Sequence, residues 1–478
     1  MQKFPTYVVF IGTLALASGV SSCKKFIQVS APTTSTNAAN VYASDGTAAA
    51  VLTGVYAKMS NQSYQQANSD ITGISIFGGL SADELTLFAP SDANFSVYYT
   101  NTLSSVTTNV MFWNGLYQYI FVANSAIEGL AASTALTPAV KNQLLGESEF
   151  LRAFCYFYLV GLYGDVPLAL GSAYTVNASL PRTPQAKVYQ QIIADLKDAQ
   201  TLLNANYLDP TLLNITGEKV RPTKWAAMAL LARAYLYTND WPDAEAEADS
   251  VIANTGLFNL SPLNGAFLMN STEAIWQLQP VGTDVQSNTG YGIFFILPPG
   301  GPNTFPNEVY LSSTEVNSFE INDQRRGSWV DSVIVAGATY YYPYKYKIGA
   351  VATTTQEYLM MLRLGEQYLI RAEARAEQNN IVGAQADLDS IRARAGLPAT
   401  TAGDMNSLLM AIAHERQVEL FTEWGDRWLN LKRNGTIDAI MTVAAPQKSG
   451  LWSPFKALYP VPETELKTDP NLSQNTGY

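Results

Sequence analysis

Apolar residues recur at helical spacing along several stretches of this chain and lose that spacing along others. A first helical pattern starts near Val41 and runs through Val51, Val55 and Met59. From Phe112 the period returns, with Trp113, Tyr117, Ile120, Asn124, Ile127 and Leu130 on one face. Pro138 opens the next helix, because a proline at the first turn forfeits no hydrogen bond. That helix runs through Leu144, Phe150, Leu151, Phe154 and Tyr158 and stops between Gly161 and Pro167. Residues 61 to 109 are polar and aromatic and predict loops with some short strand. Residues 255 to 357 hold many Gly, Pro, Asn and Tyr and show no sustained helical period. Within them Ala274 to Leu278, Val333 to Val335 and Tyr340 to Ile348 predict strands.

The clearest repeat lies at 225 to 254. Leu231, Ala232 and Tyr235 on one helix, then Ala244 and Ala248 on the next, match the spacing of a tetratricopeptide helix pair. Asn239-Asp240-Trp241-Pro242 predicts the turn between them. A second copy at 368 to 391 repeats the offsets with Tyr368, Ala372, Ala384, Leu388 and Ile391. Two copies are fewer than the roughly three that a solenoid needs, so the helices at 112–132 and 138–162 are expected to supply the missing partners. The fold expected is mostly α, a tetratricopeptide-like helix-pair scaffold with a large irregular, partly β insertion at about 255–357. An insertion of that length in a helical scaffold predicts a functional region.

The amino terminus adds an address. Lys3 precedes an uncharged apolar stretch, Tyr7 to Val20, that is short of the roughly 20 residues a spanning helix needs. Val20-Ser21-Ser22-Cys23 resembles the lipobox of bacterial lipoproteins, in which the cysteine is acylated. The expected organisation is a signal peptide at 1–22, a lipidated start at Cys23 with a Ser/Thr/Asn-rich tether to residue 40, and one domain over 41–478. The other cysteine, Cys155, then has no disulfide partner.

Composition narrows the chemistry. Charged residues make up 14% and hydrophobic residues 47%, which describes a packed chain and not a disordered one. A formal net charge of −11 with no basic cluster argues against nucleic acid. His414 is the sole histidine, so a multi-imidazole metal site is excluded and no metal or cofactor is expected. No glycine loop of the phosphate-cradling type occurs. Glu415, Arg416, Glu419, Glu423, Asp426, Arg427, Lys432 and Arg433 form the densest charged cluster. Glu415, Glu419 and Glu423 recur every four residues, and Glu423 precedes Arg427 by four. Structural ion pairs are the expected role. Asp83 and Glu84 are adjacent in sequence, a poor basis for the two converging carboxylates of a glycosidase.

Four segments resemble one family. They are Glu147 to Leu168 (ESEFLRAFCYFYLVGLYGDVPL), Leu362 to Glu377 (LRLGEQYLIRAEARAE), Ile412 to Gly435 (IAHERQVELFTEWGDRWLNLKRNG) and Leu458 to Tyr478 (LYPVPETELKTDPNLSQNTGY). In this order, behind a lipobox, they are similar to the SusD/RagB outer-membrane nutrient-binding lipoproteins of Bacteroidetes. The resemblance implies a SusD-like fold and binding without catalysis. It also implies an outer-membrane lipid anchor facing the cell exterior, and capture of oligosaccharides for a SusC-like TonB-dependent transporter. Lys24 and Lys25 depart from the acidic residues often found after the cysteine in surface export signals of this phylum. A second reading, from another class, is a tetratricopeptide-type adaptor for a protein or peptide partner.

A sugar presents apolar faces and polar edges, which call for aromatic rings beside amide, carboxylate and hydroxyl groups. Two regions offer that mixture. The first holds Asp83, Phe88, Asp92, Asn94, Phe95, Tyr98, Tyr99 and Asn101. The second holds Asn288, Tyr291, Phe294, Phe295, Asn303, Phe305 and Tyr310. Ligand contacts are expected from Asp83, Phe88, Asn94, Tyr98, Tyr99, Asn101, Tyr291, Phe294, Phe295 and Phe305.

Overall fold

The computed structural model describes residues 38–60, 71–89, 93–107, 110–281, 288–350 and 352–478. Cys23, the tether up to residue 37 and Asp92 lie outside them. The longer elements begin with α1 (Asp45–Ser60), α2 (Ile74–Ser81), β1 (Leu85–Leu87), α3 (Ala93–Tyr99), α4 (Val110–Ala132), α5 (Pro138–Tyr163), α6 (Gln185–Leu202), α7 (Lys224–Tyr237) and α8 (Trp241–Ile252). They continue with β2 (Ala274–Leu278), α9 (Gly290–Phe295), β3 (Val309–Leu311), β4 (Val330–Val335), β5 (Ala338–Pro343) and β6 (Leu359–Arg363). The last are α10 (Leu364–Glu377), α11 (Ile381–Arg394), α12 (Met405–Leu420), α13 (Asp426–Arg433) and α14 (Ile437–Gln447).

The fold is mostly α, as the periodicity predicts. Helix α5 packs against α4 and α6, α6 against α7, α7 against α8, α8 against α10, and α10 against α11 and α12. Both predicted pairs therefore join one continuous stack. Ala232, Ala244, Ala372 and Ala384 are fully buried at the crossings. A methyl group there lets neighbouring axes approach more closely than leucine would. Helix α6 was not among the expectations, although Val188, Tyr189, Ile192, Leu196 and Ala199 form its buried stripe. Helix α12 starts on a capping box in which Asp404 and Ser407 satisfy each other's backbone amides.

Three of the longer helices correct the sequence expectations. Residues 74–81 and 93–99 fold as α2 and α3, not as loops, and α9 forms inside the insertion. In α2 every residue is buried, and in α9 all but Ile293. A helix covered on all sides needs no polar face, so its sequence carries no amphipathic period.

The β structure is confined to small antiparallel pairs. Strand β1 pairs with β3, with Thr86 opposite Tyr310, and β3 also lies beside β5. Strand β2 pairs with β6, so the start of the insertion returns to its end. Strands β4 and β5 form a hairpin across Ala336 and Gly337, both at positive φ (50° and 85°), the backbone of a tight two-residue turn. Pro343 ends β5 earlier than predicted; Tyr344 and Tyr346 lie beyond it. Trp276 is fully buried on β2.

Candidate functional site

The charged cluster is structural. Helix α12 stops at Leu420, and Thr422, Trp424 and Gly425 follow at φ of 57°, 52° and 68°. This turn removes Glu423 from the face of Glu415 and Glu419 and separates it from Arg427. Glu423 instead accepts from Arg363 Nε at 2.6 Å and Lys345 Nζ at 2.5 Å. Arg363 also meets Glu273 and Glu419, and Arg325 meets Asp323, Glu415 and Glu419. The three guanidiniums of Arg363, Arg325 and Arg394 hold the Glu419 carboxyl well below the usual carboxylate range against the opposing effect of burial. Such a network fixes α12 against β6 and the insertion. His414 Nε2 lies 2.8 Å from the Ser318 carbonyl, and Cys155 is fully buried.

Asp83 and Glu84 are also engaged, in different directions. Asp83 accepts both Nε and Nη2 of Arg427, at 2.8 and 2.7 Å. Glu84 accepts the Thr422 amide, and burial pushes its carboxyl well above the usual range. Glu315 is pushed to about 7 for the same reason. Both carboxyls are buried.

In front of that pair is an aromatic surface. Phe88 follows β1 and is 41% exposed. Its ring meets Tyr340 on β5 at 5.9 Å, and Tyr340 meets Tyr310 on β3 at 5.2 Å, both edge to face. Tyr99, at the end of α3, shares the lining of one recess with Thr86, the residue opposite Tyr310. Burial and the neighbouring Tyr99 and Tyr340 hydroxyls raise the Tyr310 phenol above its ordinary value. Tyr99, Tyr310 and Tyr340 are each half-buried, so one side of each ring is supported and the remainder meets solvent.

A recess of about 190 Å³ adjoins this surface and shares Thr86 and Tyr99 with it. Its other walls are Asp83, Leu85, Ser312, Ser313, Thr314, Ala444, Gln447 and Lys448. Lys448 reaches past Tyr99 and donates to the carbonyls of Leu80, Ser81 and Ala82 at the end of α2. That terminus is the negative pole of the helix dipole. Burial nevertheless lowers the Lys448 ammonium to about 7. The arrangement offers ring faces beside hydroxyl and amide groups, which suits a polar ligand with apolar faces. A second recess, of about 200 Å³, is lined by Tyr56, Leu208, Pro210, Val220 and Leu278. Its one aromatic hydroxyl, that of Tyr56, is spent on Glu147.

The predicted site residues separate by burial. Tyr98, Phe95, Tyr291, Phe294 and Phe295 are in the core. Phe95 and Phe294 stack at 6.2 Å, and the Tyr291 hydroxyl donates to the Thr72 carbonyl at 2.6 Å. Asn101 is buried at φ 54° and donates to the Ser81 carbonyl; Asn288 is buried and binds the 354–357 backbone. These side chains secure the loops from behind. Phe88 and Tyr99 come together at the aromatic surface, and Asp83 lies in the recess wall with its carboxylate paired. Asn94 is exposed at the start of α3. Phe305 is 61% exposed beyond Asn303, which caps its turn by accepting from the Phe305 and Asn307 amides. Sequence reasoning missed Thr86, Tyr340, Ser312, Ser313, Thr314 and Gln447. Only Tyr340 carried a signal, the run of three tyrosines beside a turn.

Comparison with known proteins gives this geometry a family. Residues 37–236 match a family model described as starch-binding, associating with the outer membrane, and residues 334–478 match the SusD family model. A SusD-like protein, P2, of Formosa agariphila is 27% identical, over 90% of this chain and 92% of that protein. A SusD superfamily structure from Bacteroides vulgatus superposes with a TM-score of 0.77 at 21% identity, covering 91% of this chain and 100% of that one. A laminarin-binding SusD-like protein superposes at 0.74 and 22%, covering 90% and 99%. No helix among the described residues is long and apolar enough to cross a membrane. The chain is a binding protein rather than an enzyme, and it belongs to the SusD/RagB family of carbohydrate-binding, outer-membrane-associated proteins.

Proposed function

We propose that this protein captures oligosaccharides at the cell surface and delivers them to a SusC-like TonB-dependent outer-membrane transporter. Cys23 carries the lipid, residues 23–40 are the tether, and 41–478 act as one domain. Several acyl chains on one cysteine supply firm anchoring, where a single chain is marginal. The observation that carries the reading is the aromatic surface of Phe88, Tyr99, Tyr310 and Tyr340 beside a hydroxyl- and amide-lined recess. Asn94 and Phe305 are candidates for an outer rim. The laminarin-binding protein of the same fold lends the ligand class support.

An adaptor for a protein partner would be favoured by aromatics lining the helical stack. The exposed cluster instead sits on β1, β3, β5 and the end of α3, outside that stack.

The test uses the soluble form lacking residues 1–23. It should bind at least one polysaccharide in affinity electrophoresis and release no product on long incubation. Metabolic labelling with a fatty-acid analogue should mark the full chain and not Cys23→Ala. The full chain should co-purify with an outer-membrane transporter from its own cells. Turnover of a bound glycan, or an unlabelled Cys23, would contradict the reading.

A further inference from the structure

Resting on that reading of the site, we propose that the oligosaccharide it takes is uncharged, and that glycans bearing carboxylate or sulfate groups are refused. Most of the site comes from segments that contain no cation, and Lys448 is the cation in the recess wall. No Lys or Arg occurs between Lys58 and Lys141, and none between Arg233 and Arg325. The first stretch supplies Asp83, Thr86, Phe88 and Tyr99. The second supplies Tyr310, Ser312, Ser313 and Thr314. Gln447 falls in a third such stretch, between Arg433 and Lys448. Because the gap is in the sequence itself, no part of these three stretches can supply a cation to the site.

The cations in and around the recess are committed to protein partners. Arg427 is forked onto Asp83, and Lys448, whose ammonium lies 5.5 Å from the Tyr99 ring centroid, donates to three carbonyls of the α2 terminus. Lys345 lies deep, donating to the Glu419 and Phe421 carbonyls and to Glu423. Arg326 stacks on Tyr341, which faces the opposite side of β5 from Tyr340. The acidic groups nearby are Asp83, paired with Arg427, and Glu84 and Glu315, whose carboxyls are raised by burial. A carboxylate or sulfate seated against these tyrosine rings would lose water and meet no counter-ion, which is costly for any ion. Tyrosine, serine, threonine and glutamine groups both donate and accept, which matches the hydroxyls of a neutral sugar.

The experiment compares neutral polysaccharides (laminarin, pullulan, galactomannan) with acidic ones (polygalacturonate, alginate, a sulfated galactan) in affinity electrophoresis and calorimetry. It uses the soluble form at low and high salt. The proposal expects retardation by one or more neutral polymers, with affinity changing by less than about twofold with salt, because no ion pair is there to be screened. It expects none with the acidic set. Thr314→Lys, on an exposed position of the recess, should gain salt-sensitive binding to an acidic polymer. Acidic binding by the unaltered protein that Tyr340→Ala abolishes would overturn this proposal while leaving the site itself standing. Failure of T314K to gain any acidic binding would also count against it. Binding to neither set would overturn the proposed function, and this inference with it.

Discussion

The ion pair between Asp83 and Arg427 joins the segment that carries the site to the helical frame, and its worth can be predicted. The two side chains are 4% and 12% exposed, with two parallel hydrogen bonds at 2.7–2.8 Å. Removing one member of such a buried pair strands the other and costs about 3–5 kcal/mol. Asp83→Ala leaves a buried guanidinium, and Arg427→Ala a buried carboxylate, so each single variant should lose that much. The double variant buries neither charge. Its loss should fall short of the sum by about 2 kcal/mol or more, within the range measured for coupled neighbours. With an unfolding entropy near 2.1 cal/mol/K per residue and about 440 residues, each single variant should melt about 3–5 °C lower. The assay is urea unfolding of all four proteins, followed by tryptophan fluorescence. Additivity within about 0.5 kcal/mol, or a single-variant loss below about 1 kcal/mol, would refute the reasoning.

Further predictions follow from packing and titration. Ala232→Leu should destabilise by about 1–3 kcal/mol in urea, since the fully buried methyl lies where α7 meets α8; a neutral result would mean that the crossing is loose. Gly425→Ala should cost about 1 kcal/mol or more, because φ is +68° and an added Cβ would lie 3.1 Å from Ile74 Cγ2 and 3.2 Å from its carbonyl oxygen. Burial lowers both Lys432 and Lys448 to about 7 from 10.5. Between those values the unfolded chain holds protons that the folded chain has lost, so their contribution to stability rises with pH. Urea midpoints from pH 7 to 9 should therefore climb less steeply in Lys432→Met and Lys448→Met than in the unaltered protein; an unchanged slope would contradict the assignment.

The helix-pair frame was legible because its signal is local. Alanines at crossing points, an Asn-Asp-Trp-Pro turn and an amphipathic stripe each record contacts made within one pair. Helices α2 and α9 were not legible, since burial on all sides erases the stripe that periodicity detects. The end of α12 was hidden for another reason. Thr422 and Trp424 are poor markers of positive φ, so the run Glu415, Glu419, Glu423 reads as one face when the chain has already turned. Adjacent Tyr98 and Tyr99 illustrate the limit for the site. Both read as loop aromatics, yet one packs on Phe77 and Phe112 while the other meets solvent. Which one is exposed depends on β1, β3 and β5, brought together from distant parts of the chain. Tyr340 and Gln447 join the site only through that assembly.

The central claim is that the aromatic surface of β1, β3, β5 and α3 holds the sugar. Calorimetric titration of the soluble protein, Tyr99→Ala and Tyr340→Ala with whichever neutral polysaccharide retards it tests this most directly. Loss of one anchoring tyrosine should cost about 2 kcal/mol, or roughly thirtyfold in affinity, with the urea midpoint little changed. Full affinity in both variants would place the ligand elsewhere and contradict the account.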